Sequence, residues 1–500
     1  MFPNESFGLE VLGWLATIFV FSFGVFILFL IGVYIADVTQ TKQAVRRNYP
    51  IIGHLRYYFE HIGTFFRQYF FTMDREEMPF NRAQRSWVYR AAKDIDNTVA
   101  FGSTRDLRPS GSILFVNTAF PTLGKDAVNG KPVIIGNKSA TKPFTAHSFF
   151  NISGMSYGAI SKPAIQALSY GAKKANAWIN TGEGGLSPYH LEGGADIVFQ
   201  IGTAKYGVRD KDGNLSNEKL REVAAHETVR MFEIKISQGA KPGKGGILPG
   251  IKISKQIADI RGIPAGEDSI SPNRHPEIEN NENLIDMINH VRKVTGKPVG
   301  FKAVIGDKTW IGEFLAAVNK RGKETAPDFI TIDSADGGTG AAPMSLIDYV
   351  GMPINESLPL VIDKICEAGL RERIKVIASG KLINPAEVAW ALCVGADFIT
   401  SARGFMFSLG CIQALQCHQN TCPTGITTHD KKLQRGLVAE QKSSRIANYI
   451  KNINYEVGII AHSCGVHQPR ELGRRHARIV QENGTSTMLA DIYPDKTPKA

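Results

Sequence analysis

What most constrains this chain is an alternation of element types: from about residue 148, short β-like runs alternate with helical ones. The candidate strands are FFNISGM (149–155), AWINTG (177–182), MFEIKIS (231–237), DSISP (268–272), PVGFKAV (298–304), DFITIDS (328–334), IKVIAS (374–379) and DFITSA (397–402). Between most of them lie helical patterns such as SKPAIQALSYGAKKA, NENLIDMINHVRKV and NPAEVAWALCVG. Strands with near-continuous apolar character are buried on both faces, and helical crossovers make neighbouring strands parallel. Eight such units predict a closed α/β fold, the (β/α)8 TIM barrel. A doubly wound open sheet would accommodate seven of them. The barrel is favoured by the position of glycine and polar residues, which gather after strand ends at MSYG, TGEGG, SQGAKPGKGG, SADGGTG, SGK and ARG. In a barrel these loops converge on one face, where active sites form. The last two, Ser379-Gly380-Lys381 and Ala402-Arg403-Gly404, occupy the positions where barrels often hold a phosphate on backbone N–H groups.

A second feature precedes the alternation. From Val11 to Ala36 no residue is charged, and the run is dominated by Leu, Ile, Val and Phe. Roughly 20 helical residues cross a hydrocarbon layer of ~30 Å, so the run is long enough. A cleavable signal peptide would have a positive front end and a shorter apolar core; here Glu5 and Glu10 lie at the front. A retained, single-pass transmembrane helix is therefore expected. Lys42, Arg46, Arg47, Arg56 and Arg67 follow it against Glu60 alone, and this positive-inside bias puts the catalytic region on the cytoplasmic side of the cytoplasmic membrane. Residues 49–71 mix aromatic, apolar and basic positions, which suits either the membrane surface or packing on the catalytic region. Residues 78–109 read as a polar, basic segment with one short helix. The expected division is an anchor (1–40), a basic connecting segment (41–147), the barrel (148–430) and a helical extension (431–500). The formal charge of +11 then has two uses, lipid contact behind the anchor and anion binding at the barrel mouth. No nucleic-acid motif or aromatic-interleaved basic stripe is present, so nucleic acid is not an expected partner.

Three of the six cysteines fall in GCIQALQCHQNTCPTG as Cys411, Cys417 and Cys422, ending in Cys-Pro. Clustered thiolates bind soft metals, which leaves zinc or an iron–sulfur cluster. Structural zinc usually shows paired C-x2-C ligands and needs a fourth ligand; His418 is adjacent to Cys417, an awkward geometry for closure. Cys366, Cys393 and Cys464 are scattered and read as ordinary thiols.

The strings MSYGAIS (155–161), NTGEGG (180–185), SQGAKPGKGGILPG (237–250), ISP (270–272), DGGTGAAP (336–343) and the cysteine segment together resemble the FMN-binding synthase domain of glutamate synthase. The likeness runs in order from about Phe149 to Asp430. It is most similar to the short, stand-alone, membrane-anchored branch, which also carries segments like RNYP (47–50) and PFNRAQRS (79–86). The resemblance implies FMN at the barrel mouth and a [3Fe-4S] cluster on Cys411, Cys417 and Cys422. It places Met155, Ser156, Gln238 (after strand three) and Lys302 (after strand five) beside the flavin, where a Lys stabilises the anionic reduced ring. Gly337, Gly338, Ser379, Gly380, Lys381, Arg403 and Gly404 would surround the ribityl chain and phosphate. Glu183, Lys241 and Arg261 match positions near the family's 2-oxoglutarate site, and two cations suit a dicarboxylate.

The departures narrow the expected activity. The chain begins Met1-Phe2 where the full-length family has an N-terminal Cys nucleophile, so glutaminase activity is not expected. Only about 70 residues follow the cysteine loop, so the family's large C-terminal domain is not expected. No GxGxxG follows a strand, so NAD(P)H is not expected to bind through a Rossmann unit. The family's GGQLPG is GGILPG here, and Ile247 replaces an amide that helps hold the substrate. The leading expectation is reduction of a 2-imino acid, by default 2-iminoglutarate from 2-oxoglutarate and ammonia, with electrons from a ferredoxin-like donor or separate reductase. The alternatives are a membrane-linked FMN-dependent dehydrogenase of another amino or hydroxy acid, and a non-enzymatic electron carrier.

Overall fold

The computed structural model describes residues 4–128 and 130–496, which fall in two units, 1–83 and 84–500. The first contains α1 (Asn4–Thr39) and α2 (Gly53–Phe66), the latter running into a wider helical turn at Arg67–Phe71. Residues 7–39 contain an 18-residue stretch with a mean hydropathy of 2.7, and among the described residues this is the one helix long and apolar enough to cross a membrane. Its large apolar side chains are exposed almost throughout. His54 Nε2 lies 2.8 Å from Asp37 Oδ2, joining α2 to the end of α1. Tyr58, Phe59, Phe66, Phe70 and Phe71 are exposed on α2 and its extension. Helix α3 (Arg82–Ala92) is the short helix expected in the basic segment.

The second unit is built on eight parallel strands: β1 (Phe150–Ile152), β2 (Trp178–Asn180), β3 (Asp196–Ile201), β4 (Val229–Lys235), β5 (Val299–Val304), β6 (Phe329–Asp333), β7 (Lys375–Ser379) and β8 (Phe398–Ser401). They pair in sequence order and close, β8 onto β1, into a barrel. The number of strands is as expected, but the set is not. Asp196–Ile201, a buried DIVFQI run that follows only a five-residue helix at Pro188–Glu192, is the true third strand. Its missing long crossover helix hid it. DSISP is not a barrel strand: Ser269–Ile270 pairs antiparallel with Ile247–Leu248 inside the long β4–β5 connection. Gln238 therefore follows β4, not strand three.

Because side chains alternate along a strand, every second residue faces the barrel interior, and the inward positions change character from bottom to top. At the N-terminal end Trp178, Val198, Met231, Phe329, Ile377 and Phe398 form one apolar layer, plugged by Ile135, Phe144 and Ala146 of a preceding hairpin. Two residues further along each strand the layer is polar: Asn180 Nδ2 and Gln200 Nε2 donate to Glu233 Oε1 at 2.8 and 2.7 Å, and Thr331 Oγ1 donates to its Oε2 at 2.6 Å. A cavity of about 10 Å³ remains in this layer, room for roughly one water. Two residues further still the layer is charged, with Lys235 and Asp333.

Outside the barrel, α4 (Lys162–Lys174) starts at the Ser161 cap, α5 (Pro385–Val394) at an Asn384–Glu387 capping box, and α6 (Arg403–Leu409) directly after β8. Capping by such side chains satisfies otherwise orphaned backbone N–H groups. The long α7 (Ala439–Ser463) packs along α4, α5, α6 and β1. Its Tyr449 ring lies 5.4 Å from Phe150 and 5.2 Å from Phe405, and its hydroxyl donates to Ile383 O at 2.7 Å. After this helix the chain adds two strands, Ala477–Val480 and Ser486–Met488, in an antiparallel sheet with Ile113–Phe115.

Candidate active site

The C-terminal ends of the strands bring most of the nominated residues to one mouth. Glu183 sits in the turn after β2, and Lys235 at the end of β4 donates to it at 2.8 Å and to Gln238 Oε1 at 2.9 Å. Gln238 Nε2 in turn donates to Gly338 O at 2.6 Å, linking the β4 and β6 loops. Burial would raise the Glu183 pKa, but Lys235, Lys241 and Arg261 outweigh it and hold the carboxyl at about 2. Lys302 on β5 pairs with Asp333 at 3.2 Å, and Asp333 also accepts from Gly239 N–H at 2.9 Å. Burial opposes ionisation of Asp333; Lys302, Gly239 and the Ser379 hydroxyl prevail and keep its pKa below the usual carboxylate value.

Two buried cations in this mouth have no such partner. Lys241 and Arg261 are 6% and 5% exposed, and among the described residues neither makes an ion pair with a carboxylate. Arg261 reaches only hydroxyls, Ser156 Oγ at 3.5 Å and Ser269 Oγ at 3.4 Å, and lies over the Tyr206 ring at 5.1 Å. Its Nε is buried without a hydrogen bond, as is Thr400 Oγ1 on β8. Burial, then Lys235, lowers the Lys241 pKa to about 8. Glu183, already in contact with Lys235, is the carboxylate whose charge acts on both; three buried cations around one carboxylate leave an excess of positive charge in the mouth, which is costly without a further anion.

The phosphate-side residues are placed differently from one another. Lys381 pairs with the Asp336 carboxylate at 3.0 Å and Arg403 Nη2 donates to the Asp336 carbonyl at 2.6 Å, so both cations flank the Gly337-Gly338 loop. Ser379 and Gly380 end β7 beside Ser334. Gly404 has another explanation: a Cβ there would overlap the Tyr449 hydroxyl, so α7 requires it. Met155 O accepts from His190 Nε2 at 3.5 Å, behind Ser156. With its unsatisfied polar atoms, buried Lys302 and paired cations at the β7 and β8 ends, the residue set fits the FMN implied by the resemblance.

The cysteine segment is a loop after α6. Gln413, Leu415 and Asn420 adopt φ of 59°, 56° and 61°, left-handed conformations that cost non-glycine residues of order 1 kcal/mol or more and persist where surroundings dictate them. Cys411 O accepts from Tyr89 Oη at 2.6 Å and Cys417 O from Lys252 Nζ at 3.3 Å. Among the described residues no three His, Cys, Asp or Glu side chains converge on one ion, the arrangement a mononuclear zinc site needs. A three-iron cluster takes one thiolate per iron, so three soft donors spread over one loop fit it in number and kind.

Sequence reasoning did not nominate Lys235, Asp333, Asp336 or Lys252. The first two were legible as polar residues at inward positions of otherwise apolar strands; Asp336 and Lys252 lie in loops, where no periodicity marks them.

A closed parallel barrel with a cation-rich mouth places the chain among the α/β-barrel proteins. Sequence comparison is more specific. The conserved region in glutamate synthase matches residues 117–467, and the chain belongs to that family. The glutamate synthase large subunit-like protein YerD of Bacillus subtilis is 39% identical over 91% of this chain and 93% of its own length. A glutamate synthase large subunit-like protein of Rhizobium meliloti is 30% identical over 79% of this chain and 90% of its own. An archaeal-type glutamate synthase (NADPH) of Thermotoga maritima is 34% identical over 63% of this chain, which spans 59% of that relative. Among solved structures, the recombinant flavin-binding domain of baker's yeast flavocytochrome b2 covers 83% of this chain and 85% of its own, at 12% identity and a TM-score of 0.45, a degree of likeness that bears on neither cofactor nor substrate.

Proposed function

We propose that this chain is a glutamate synthase-type flavin oxidoreductase that reduces a 2-imino dicarboxylate, 2-iminoglutarate by default, to the amino acid, without its own glutaminase activity. The observation that carries this reading is the pair of buried cations, Lys241 and Arg261, neither in contact with a carboxylate among the described residues, around a single Glu183 that already contacts Lys235. A five-carbon dicarboxylate supplies two negative charges to answer them. Bound FMN would supply hydride chemistry, and an iron–sulfur cluster on Cys411, Cys417 and Cys422 single-electron delivery. The chain's own residues do the rest. Arg261 and Lys241 bind and orient the carboxylates; Lys302, held by Asp333, supplies positive charge beside the flavin site. Lys235 keeps Glu183 ionised, and Gln238 fixes the β4 loop against the β6 loop. Helix α1 anchors the protein in the cytoplasmic membrane with the barrel on the cytoplasmic side, where ammonia and an electron donor meet it.

Ile247, half-buried where the family carries an amide, favours a second reading, dehydrogenation of another amino or hydroxy acid with electrons passed to the membrane. Spectral titration of the FMN-loaded protein separates the two. The proposal predicts that 2-oxoglutarate perturbs the flavin spectrum at least tenfold more tightly than pyruvate or lactate. Equal or weaker response to the dicarboxylate sinks it.

A further inference from the structure

We infer that Lys252 is a positioning residue for the iron–sulfur group, clamping the cysteine loop onto the flavin-side loop and contributing the positive charge that favours the group's reduced form. The inference rests on the cluster assignment made above. Lys252 ends the turn after GGILPG and is 3% exposed. Its ammonium donates to Ala159 O at 2.9 Å, in the MSYGAIS loop, and to Cys417 O at 3.3 Å. No described carboxylate pairs with it. Cys417 and Cys422 are the groups whose ionised form would favour its charge, and Arg261 opposes it. A buried ammonium held only by two carbonyls is expensive, and a thiolate-ligated cluster is the anion that would offset it.

The same two loops are joined at neighbouring residues. His429 Nε2 contacts Gly158 O at 2.8 Å, and Ser161 N–H donates to Ile426 O at 2.8 Å. His429 and Ile426 follow the last cysteine closely, so three contacts within four residues of the flavin-side loop come from or through the cysteine segment. Lys252 alone among them carries a charge toward the thiols. A fixed positive charge beside the group stabilises the state carrying one more electron, so its removal makes reduction harder. Shape alone would not have that consequence.

The test compares full-length wild type, Lys252→Gln and Lys252→Arg, loaded anaerobically with iron and sulfide and titrated with dithionite while the EPR signal of the oxidised three-iron form is followed. Lys252→Gln should shift the reduction equilibrium at least tenfold toward the oxidised form, about 59 mV for one electron, while Lys252→Arg stays within about threefold of wild type. Equal potentials in wild type and Gln, or an Arg shift as large as the Gln shift, would overturn the inference. If Lys252→Gln fails to fold or to load, the Arg protein decides: a wild-type potential supports the charge role, and failure or a shift contradicts it. Wild type without any iron signal rejects the cluster assignment itself, a separate failure.

Discussion

Lys241 and Glu183 illustrate how one buried neighbourhood sets two protonation states. Lys241 is held at about 8, so in the free protein its charge is present below that pH and is lost as pH rises through it. A bound dicarboxylate favours the ammonium, and binding therefore takes up a proton above pH 8. The dissociation constant for 2-oxoglutarate should be flat in this group below about pH 7.5 and rise up to tenfold per pH unit above 8; Lys241→Met should bind at least tenfold more weakly and lose that slope, which calorimetry between pH 6.5 and 9.5 would detect. Glu183, depressed to about 2, contributes stability that is present above its unfolded pKa of about 4.3 and is lost as pH falls toward 2. Lys235→Met removes its nearest cation and should cost about 3 kcal/mol, read as a lowered Cm in urea. An unchanged Cm would mean that Lys241 and Arg261 suffice. At this scale the sequence revealed the mouth cations through loop chemistry and family likeness. It did not reveal their partners, because an ion pair such as Lys302 with Asp333 depends on barrel register.

Helix α7 supports the site from outside. Its Tyr449 packs between Phe150 of β1 and Phe405 of α6, the helix that opens with Arg403. Gly171 on α4 admits Ile446 of α7 so closely that a Cβ would overlap it. Gly171→Leu should therefore destabilise by about 1–3 kcal/mol through overpacking, and more if α7 lifts away. A chemical-denaturation curve checks this, and no change in midpoint would show that the helices separate freely. At element scale, seven barrel strands were legible because each is a short apolar run ahead of a Gly-polar loop. Asp196–Ile201 was not, since the connection before it carries only a short helix, and DSISP imitated a strand with only two extended residues. The return of the C-terminus as two strands beside Ile113–Phe115 had no local signal, because its pairing partner lies some 360 residues away.

For the whole molecule, charge and anchorage follow from separate segments. Residues 7–39 form a continuous helix, uncharged from Val11 to Ala36, with its large apolar side chains outward, at a rise that gives about 50 Å of length. Full-length protein should sediment with membranes and resist alkaline carbonate, whereas residues 84–500 should remain in the supernatant without detergent. Carbonate release of the full chain would contradict the anchor. The overall architecture was the most legible level, since strand–helix alternation and an uncharged apolar run survive any error in single boundaries. The reaction is settled most directly by one anaerobic measurement: purified full-length protein with reduced methyl viologen, 2-oxoglutarate and 15N-ammonium, with products resolved by mass spectrometry. The account predicts 15N-glutamate formed in proportion to viologen oxidised. Viologen-reduced protein that leaves 2-oxoglutarate unchanged, yet turns over with another oxo or hydroxy acid, would contradict it.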